Sequence, residues 1–263
     1  MFISARQRYN SAPLVIHAKR LNKLLRWIQQ TPKRLNYGKL KISGESRQAE
    51  PADTHLRVIS DAAFKREAET GFSLRGAVSA RCPGTSTASF TTSAPCHLLE
   101  WTSKGQRHVT RSTFSAELLS AGDTLDHGLL MVQQLHEIQT GETTCSQARD
   151  ARLRGGFSVP MALYIEAYSV FAAITATFVN TPAEKSLLCH VQFIRELLDR
   201  RVLRTLVWLD TRDMTADGVT EGTIERDALG KLLDGHIEIQ HKSATWTPKI
   251  VGNPSPNFLR LPP

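Results

Sequence analysis

Residues 161–179, MALYIEAYSVFAAITATFV, form the most apolar stretch of the chain, and Glu166 is its single charge. A membrane-spanning helix needs about 20 predominantly apolar residues and is strongly disfavoured by a carboxylate in its interior. This stretch has 19 residues, and five of them are tyrosine, serine or threonine. A buried strand that passes into a buried helix explains the same composition and places Glu166 at the carboxyl end of the strand. Folds of the α/β class carry their chemistry at that end.

The flanking sequence predicts further strands and one long helix. Three β-prone runs precede the apolar stretch, LRVISDAAF, TGFSLRGAVSA and HLLEWTS, and RTLVWLD follows it. A long amphipathic helix is predicted to begin after Ser112, a good N-cap, and to end at Gly141. Gly122 and Gly128 are expected to kink or break this helix, and residues 82–96 and 141–160 are expected to be loops.

Two more helices are predicted towards the end of the chain. Thr181 is the predicted N-cap of the first, with Pro182 at its first position and Glu184 completing a capping box. The second covers TADGVTEGTIERDALGKLLDG and is closed by Gly235. The alternation of strands and helices predicts the α/β class.

The formal net charge of +8 is concentrated near the N-terminus. Residues 1–44 contain ten lysines and arginines and no acid, which leaves 23 basic and 25 acidic residues in the rest. The charge of this region is typical of a mitochondrial transit peptide, but its leucine spacing favours an ordinary basic helix. The polar connector SGESRQAEPADT predicts a boundary near residue 50. The expected organisation is a basic helix with linker at 1–50, a domain at 52–240 and a proline-rich tail at 241–263.

The four cysteines stand far apart and form no C-x-x-C pair. This spacing argues against a zinc site or a dense disulfide framework and favours free thiols in a reducing compartment.

Four acids stand in or beside apolar segments: Asp61 in the first strand, Glu117 in the long helix, Glu166, and Asp217 at the start of the last helix. Any one of them alone would usually be a cap or a residue at a solvated edge. Four acids that met at one end of a sheet would repel one another and would need bound cations. Oxygen ligands suit Mg²⁺ or Mn²⁺, and two such ions about 4 Å apart can promote phosphodiester hydrolysis.

The order of these elements and several motifs resemble the RNase H domain at the end of copia-type retrotransposon polyproteins. The motifs are SDAAF, EWTSKGQRHVTRSTFSAEL, LYIEAYSVFAAI and LVWLDTRDMTADGVTEG, which contain the four acids in order. The second motif and the Thr-x-x-x-x-Ala-Asp-x-x-Thr pattern of the fourth are the most specific. CHVQFIREL fits the helix before the family's last strand, and HAKRLNKLLRWIQQTPKRLNYG resembles the last helix of the reverse transcriptase that normally precedes the domain.

The resemblance implies an RNase H-like fold, with a mixed five-stranded sheet flanked by helices and preceded by the basic helix. It also implies that Asp61, Glu117, Glu166 and Asp217 hold two Mg²⁺ ions, or Mn²⁺, and cleave the RNA strand of an RNA/DNA hybrid. Asp61 would be shared by both ions, Glu117 and Glu166 would complete one site, and Asp217 the other. Within the same motifs, four polar residues are predicted to make weaker substrate contacts: Lys104, Gln106, Ser112 and Ser169.

The expected partner is therefore nucleic acid, with no membrane, and the upstream reverse transcriptase segment is expected to be missing from this chain. The expected location is cytoplasmic or nuclear, in intracellular retroelement particles, and not secreted.

Two positions differ from the family pattern. Glu166 stands where the family has aspartate, and Glu221 stands where a lysine follows the threonine. Because Mg²⁺ demands near-ideal geometry and phosphate binding favours cations, these changes support an alternative, a catalytically inactive RNase H-like module that binds nucleic acid or protein. A third interpretation takes the four acids as unrelated surface and cap residues of an ordinary α/β protein.

Overall fold

The structure is a computed structural model that describes residues 14–30, 34–41, 53–64, 72–178, 182–220 and 227–248. Its helices are α1 (Val15–Gln30), α2 (Thr113–Thr140), α3 (Cys145–Arg154), α4 (Tyr168–Thr175), α5 (Leu188–Asp199), α6 (Asp217–Thr220) and α7 (Asp227–Leu233). Its strands are β1 (Thr54–Ala63), β2 (Leu74–Pro83), β3 (Ala94–Pro95), β4 (His97–Gly105), β5 (Met161–Ile165), β6 (Thr205–Leu209), β7 (His236–Ile237) and β8 (Ser243–Trp246). The fold is thus α/β, as predicted.

A mixed six-stranded sheet with the order β4-β2-β1-β5-β6-β8 forms the centre of the molecule. β1 pairs antiparallel with β2 and parallel with β5, and β5 pairs parallel with β6. The predicted number of five strands is wrong, because β8 adds to β6 in antiparallel orientation. This strand lies within the segment assigned to a proline-rich tail, and the Thr205 hydroxyl donates to the Trp246 carbonyl at 2.9 Å. β8 is an edge strand of four residues, and β6 is the one described strand with which it pairs.

β1 is the central strand, and all ten of its residues are buried. Leu56 and Val58 face a core that is shared with α2, α4 and α5, whereas Ile59 faces a second core that includes residues of α6 and α7. Because helices and turns cover both faces, the strand lacks the polar alternation of a half-exposed strand. An acid on such a strand therefore lies in the protein interior or at the end of the sheet.

Helix α2 is continuous through both glycines that were expected to break it. A β-carbon placed on Gly128 would lie 2.8 Å from Val58 Cγ1 and from Met161 Sδ, so this glycine lets the helix pack closely against β1 and β5. The predicted ends are confirmed: the Ser112 hydroxyl accepts from the backbone N–H of Ser115 at 3.1 Å, and Gly141 closes the helix.

Two other sequence predictions need correction, and a third extends over residues that are not described. The predicted loop at 141–160 contains α3, a helix with no buried residue, so it has no apolar face to reveal it. Helix α5 begins at Leu188, after a 3-10 turn at Lys185–Leu187, and the predicted cap Thr181 lies outside the described residues. The single last helix is represented by α6 and α7, and residues 221–226 between them, including Glu221, are not described.

The basic helix predicted near the N-terminus is present as α1. Residues 34–41, which follow it, pack against the sheet: the Tyr37 hydroxyl donates to the Leu98 carbonyl at 2.8 Å, and Leu40 is buried. Within the described ranges, no helix combines the length and the apolarity that a membrane crossing requires.

Candidate metal centre

Asp61 and Glu166 lie side by side at one edge of the sheet. The last registered pair of the parallel strands β1 and β5 joins Ser60 to Ile165. Asp61 follows on β1, and Glu166 follows directly after β5. Parallel strands bring their carboxyl ends to the same edge, which places both acids there. The Trp208 indole N–H donates to the Glu166 carbonyl oxygen at 2.6 Å and holds the backbone at this point.

Asp217 reaches the same edge from the first position of α6. This short helix lies over Gly76, the β2 residue directly opposite Asp61. A β-carbon at Gly76 would be 2.8 Å from Val219 Cγ2 and would overlap the Thr220 methyl group. The absence of a side chain at Gly76 therefore allows α6 to approach the sheet and bring Asp217 to Asp61.

Asp61, Glu166 and Asp217 form a compact group, which we call the carboxylate triad. One carboxylate oxygen from each lies within 4.8 Å of the oxygens of the other two. Asp61 is 5% exposed, Asp217 is 7% exposed, and Glu166 is half-buried. In the described part of the chain, no other group of three or more acids, histidines or cysteines meets this geometry.

Glu117 is buried beside the triad, in the second turn of α2. Its pKa is raised to about 9, chiefly by burial and then by the charges of Asp61 and Glu166. A hydrogen bond from the backbone N–H of Ala62 opposes this rise, and Asp217 adds to it. In the absence of a cation, the Glu117 carboxyl group therefore carries a proton at neutral pH.

All four acids identified from the sequence thus meet at one edge of the sheet. Three of them form the triad, and Glu117 lies close enough for the charge of each triad member to affect it, although its oxygens are not within the 4.8 Å group. Such an arrangement does not fit the interpretation of four unrelated surface and cap residues.

Two threonine hydroxyls donate hydrogen bonds to the triad. Thr220, at the end of α6, donates to Asp61 Oδ2. Thr211, in the 3-10 turn Thr211–Asp213 that follows β6, donates to Glu166 Oε1 at 2.5 Å. The sequence prediction gave neither threonine a role, although both belong to the Thr-x-x-x-x-Ala-Asp-x-x-Thr pattern around Asp217. Their fixed spacing from that aspartate was the available signal.

The four residues predicted to contact substrate differ in their burial and hydrogen bonding. Lys104 is exposed on β4, and Ser169 is exposed in the first turn of α4, three residues after Glu166. Ser112 caps α2. Gln106 is buried, and its amide donates to the Ala116 carbonyl at 2.6 Å. Ser112 and Gln106 therefore fix the start of the helix that carries Glu117, while Lys104 and Ser169 remain accessible at the surface.

A groove of about 350 Å³ lies next to the triad, with Thr211 and Asp217 among its lining residues. Its wall is held by Asp213, a buried acid that accepts hydrogen bonds from the backbone N–H groups of Gln240 and His241 at 3.0 and 2.8 Å. The His241 ring nitrogen Nδ1 also contacts Asp213 Oδ1 at 2.9 Å. The groove gives solvent access to the Asp217 side of the triad.

The donor chemistry of this group fits a metal cation. Ionised carboxylates at this separation repel one another, and burial further disfavours their charged forms. The raised pKa of Glu117 reflects both effects. A bound cation offsets the repulsion and replaces the lost hydration, so the three triad side chains can hold a metal ion with Glu117 next to it.

Comparisons of the chain with protein-family models, with curated proteins and with solved structures found no match. The function is therefore inferred from the side chains of the site and from the motifs that carry them.

Proposed function

We propose that this chain is an RNase H-like nuclease domain that hydrolyses the RNA strand of RNA/DNA hybrids with Mg²⁺ or Mn²⁺. The observation that carries the proposal is the convergence of Asp61, Glu166 and Asp217 within 4.8 Å, beside a buried Glu117. Carboxylate oxygens are the ligands that these hard cations prefer. The order of elements supports the same family, since five of the six sheet strands arise from the runs that carry or flank the motifs.

In this proposal, Asp61, Glu166 and Asp217 would hold the cations together with Glu117: Asp61 would serve both, Glu117 and Glu166 would complete one site, and Asp217 the other. When bound, such ions activate a water molecule and stabilise the leaving oxygen of the phosphodiester. The chain itself orients the ligands and keeps them partly away from water, through β1, β5, α2 and α6. Lys104 and Ser169 are the exposed candidates for contacts with the hybrid, which is recognised by its backbone and 2′-hydroxyl groups.

A cleavage assay tests the proposal directly. The full chain is incubated with an end-labelled RNA/DNA hybrid, and with double-stranded DNA and RNA as substrate controls, in Mg²⁺ and then in Mn²⁺. We expect cleavage of the hybrid RNA alone, and its loss on addition of chelator or in the variant Asp61→Asn. Asp199→Asn, at an exposed position at the end of α5, is the matched control and should cleave normally.

Two results would contradict the proposal. One is no cleavage in either metal by a protein whose circular dichroism shows that it is folded. The other is equal cleavage by wild type and Asp61→Asn, which would move the activity away from the triad.

A second candidate function follows from the length of Glu166. Its side chain is one methylene longer than the family's aspartate, so an inactive RNase H-like module that binds nucleic acid or protein is the alternative. Glu166→Asp separates the two candidates. Cleavage by Glu166→Asp but not by wild type would support the inactive module, whereas cleavage by wild type supports the nuclease.

A further inference from the structure

Thr211 and Thr220 belong to different elements, but each donates its hydroxyl to one oxygen of the triad. Thr211 follows β6 and bonds Glu166 Oε1, and Thr220 ends α6 and bonds Asp61 Oδ2. A carboxylate at the end of a side chain rotates easily, and nearby acids tend to drive it away from the group. A hydroxyl that donates to one named oxygen limits that rotation before any cation arrives.

We propose that Thr211 and Thr220 are positioning residues that set Glu166 and Asp61 for binding of a divalent cation. This inference rests on the proposed function, because it concerns the same carboxylate triad. Partners of this kind around metal ligands typically change metal affinity by about 10- to 100-fold when they are removed.

Thr220 couples two ligands of the triad. It is fully buried, it ends the helix that begins with Asp217, and its hydroxyl reaches Asp61 on the central strand. Its methyl group lies against Gly76, where no side chain intervenes. The bond from Thr220 thus holds α6 to β1 and keeps Asp217 close to Asp61.

Thr211 is matched to a glutamate at position 166. The Trp208 indole fixes the Glu166 carbonyl, so the reach of the side chain decides where its carboxylate lies. Thr211 meets Glu166 Oε1 at 2.5 Å. An aspartate at this position would be shorter by one carbon–carbon bond, roughly 1.5 Å, and would leave the hydroxyl beyond normal hydrogen-bond distance. The hydrogen bond from Thr211 in this chain therefore depends on the length of the Glu166 side chain.

Manganese binding to the full chain tests the inference independently of cleavage. Isothermal titration calorimetry with Mn²⁺ alone is performed on wild type and on Thr211→Val and Thr220→Val, in which a methyl group replaces the hydroxyl. We expect each valine variant to bind Mn²⁺ about 10- to 100-fold more weakly. Thr211→Ser and Thr220→Ser, which keep the hydroxyl, should bind within a few-fold of wild type. Thr245→Val, at an exposed position on β8, is the matched control and should match wild type.

A double-mutant comparison isolates the pairing of Thr211 with Glu166. In a Glu166→Asp background, Thr211→Val should cause little further loss of Mn²⁺ affinity, because the bond is already absent. An equal loss in both backgrounds would overturn the match between the two residues. If Thr220→Val does not fold, the comparison of Thr220→Ser with wild type and the complete Thr211 series still decide the question.

The outcomes distinguish this inference from the proposed nuclease. Wild type that binds Mn²⁺ but does not cleave hybrid would contradict the nuclease and leave the threonine assignment in place. Valine variants that bind Mn²⁺ as tightly as wild type would overturn the assignment even if the protein cleaves. Wild type that binds no Mn²⁺ would overturn both.

Discussion

Removal of all divalent cations should make the stability of this protein fall as the pH rises, because of Glu117. The pKa of this buried carboxyl is raised from 4.5 to about 9 in the folded state. A raised folded-state pKa means that the folded state holds the proton more tightly, so the stabilisation is complete below pH 4.5 and is lost as the pH rises through 9. At 1.36 kcal/mol per pKa unit, the loss from this group approaches about 3 kcal/mol at pH 7 and about 6 kcal/mol at pH 9.

Urea unfolding in the presence of a chelator, at pH 5, 7 and 9, measures this effect. Because other groups also titrate, the informative quantity is the free energy of unfolding of Glu117→Gln minus that of wild type at each pH. The glutamine variant has no proton to lose, so this difference should increase by several kcal/mol between pH 5 and pH 9. Glu142→Gln, at an exposed glutamate just beyond the end of α2, provides the control and should show no such increase.

A difference that stays constant with pH would refute the argument, because it would mean that Glu117 ionises in the folded state as it does in water. Saturating Mg²⁺ or Mn²⁺ provides an internal check. If a cation binds the triad next to Glu117, it stabilises the ionised carboxyl group and should reduce the dependence on pH.

Three further predictions concern the fold around the site. The pKa of the buried His55 is lowered to about 3, by burial and then by the charge of Arg57. Its ring should therefore stay neutral down to pH 4 in an NMR titration, and a titration midpoint near pH 6.5 would contradict this. The accompanying stability is complete above pH 6.5 and is lost as the pH falls towards 3. Gly76→Ala should lower the unfolding free energy by about 2 kcal/mol and weaken Mn²⁺ binding, because the added methyl group displaces α6. Unchanged Mn²⁺ affinity would contradict the role of Gly76 in placing α6 against the sheet. In α2, Gly122→Ala should raise the unfolding free energy by about 0.5–1 kcal/mol, since the added β-carbon would be 3.7 Å from its nearest neighbour. Gly128→Ala should lower it by about 1–2 kcal/mol, because there the added β-carbon would be too close to its neighbours. Urea titrations that rank the two variants the other way would refute this.

The sequence predicted those parts of the fold in which local pattern and tertiary packing agree. β1, β2, β4, β5 and β6 all overlap the β-prone runs, although β1, β2 and β4 extend beyond them by two or three residues. The sequence placed Glu166 at the carboxyl end of a strand and Asp61 within another, and only the family resemblance implied that the two acids meet; the parallel pairing that brings them together is seen in the structure. Ser112 and Gly141 mark the ends of α2 by chemistry that acts within a few residues.

The remaining features depend on distant contacts that a local pattern does not contain. From the sequence alone, Gly128 is expected to break the helix. In the structure the helix packs against Val58, and this close approach requires a residue without a side chain. α3 has no buried residue and no apolar periodicity, so only its capping residues indicate it. The hydroxyl of Thr220 reaches Asp61 across 159 residues of sequence, and spacing alone gives no measure of that contact.

The four acids differ in protonation and in exposure, and these differences concern Glu166, the glutamate of the apolar stretch. With a proton on Glu117, the metal-free cluster carries at most three negative charges, and two of the triad members accept bonds from threonine hydroxyls. A divalent cation must therefore displace a proton from Glu117 to obtain a fourth charged ligand. Glu166 is the most exposed member of the triad, and Thr211, in the turn after β6, donates to its carboxylate. The length of the Glu166 side chain thus brings the carboxylate at the end of β5 within hydrogen-bond distance of Thr211.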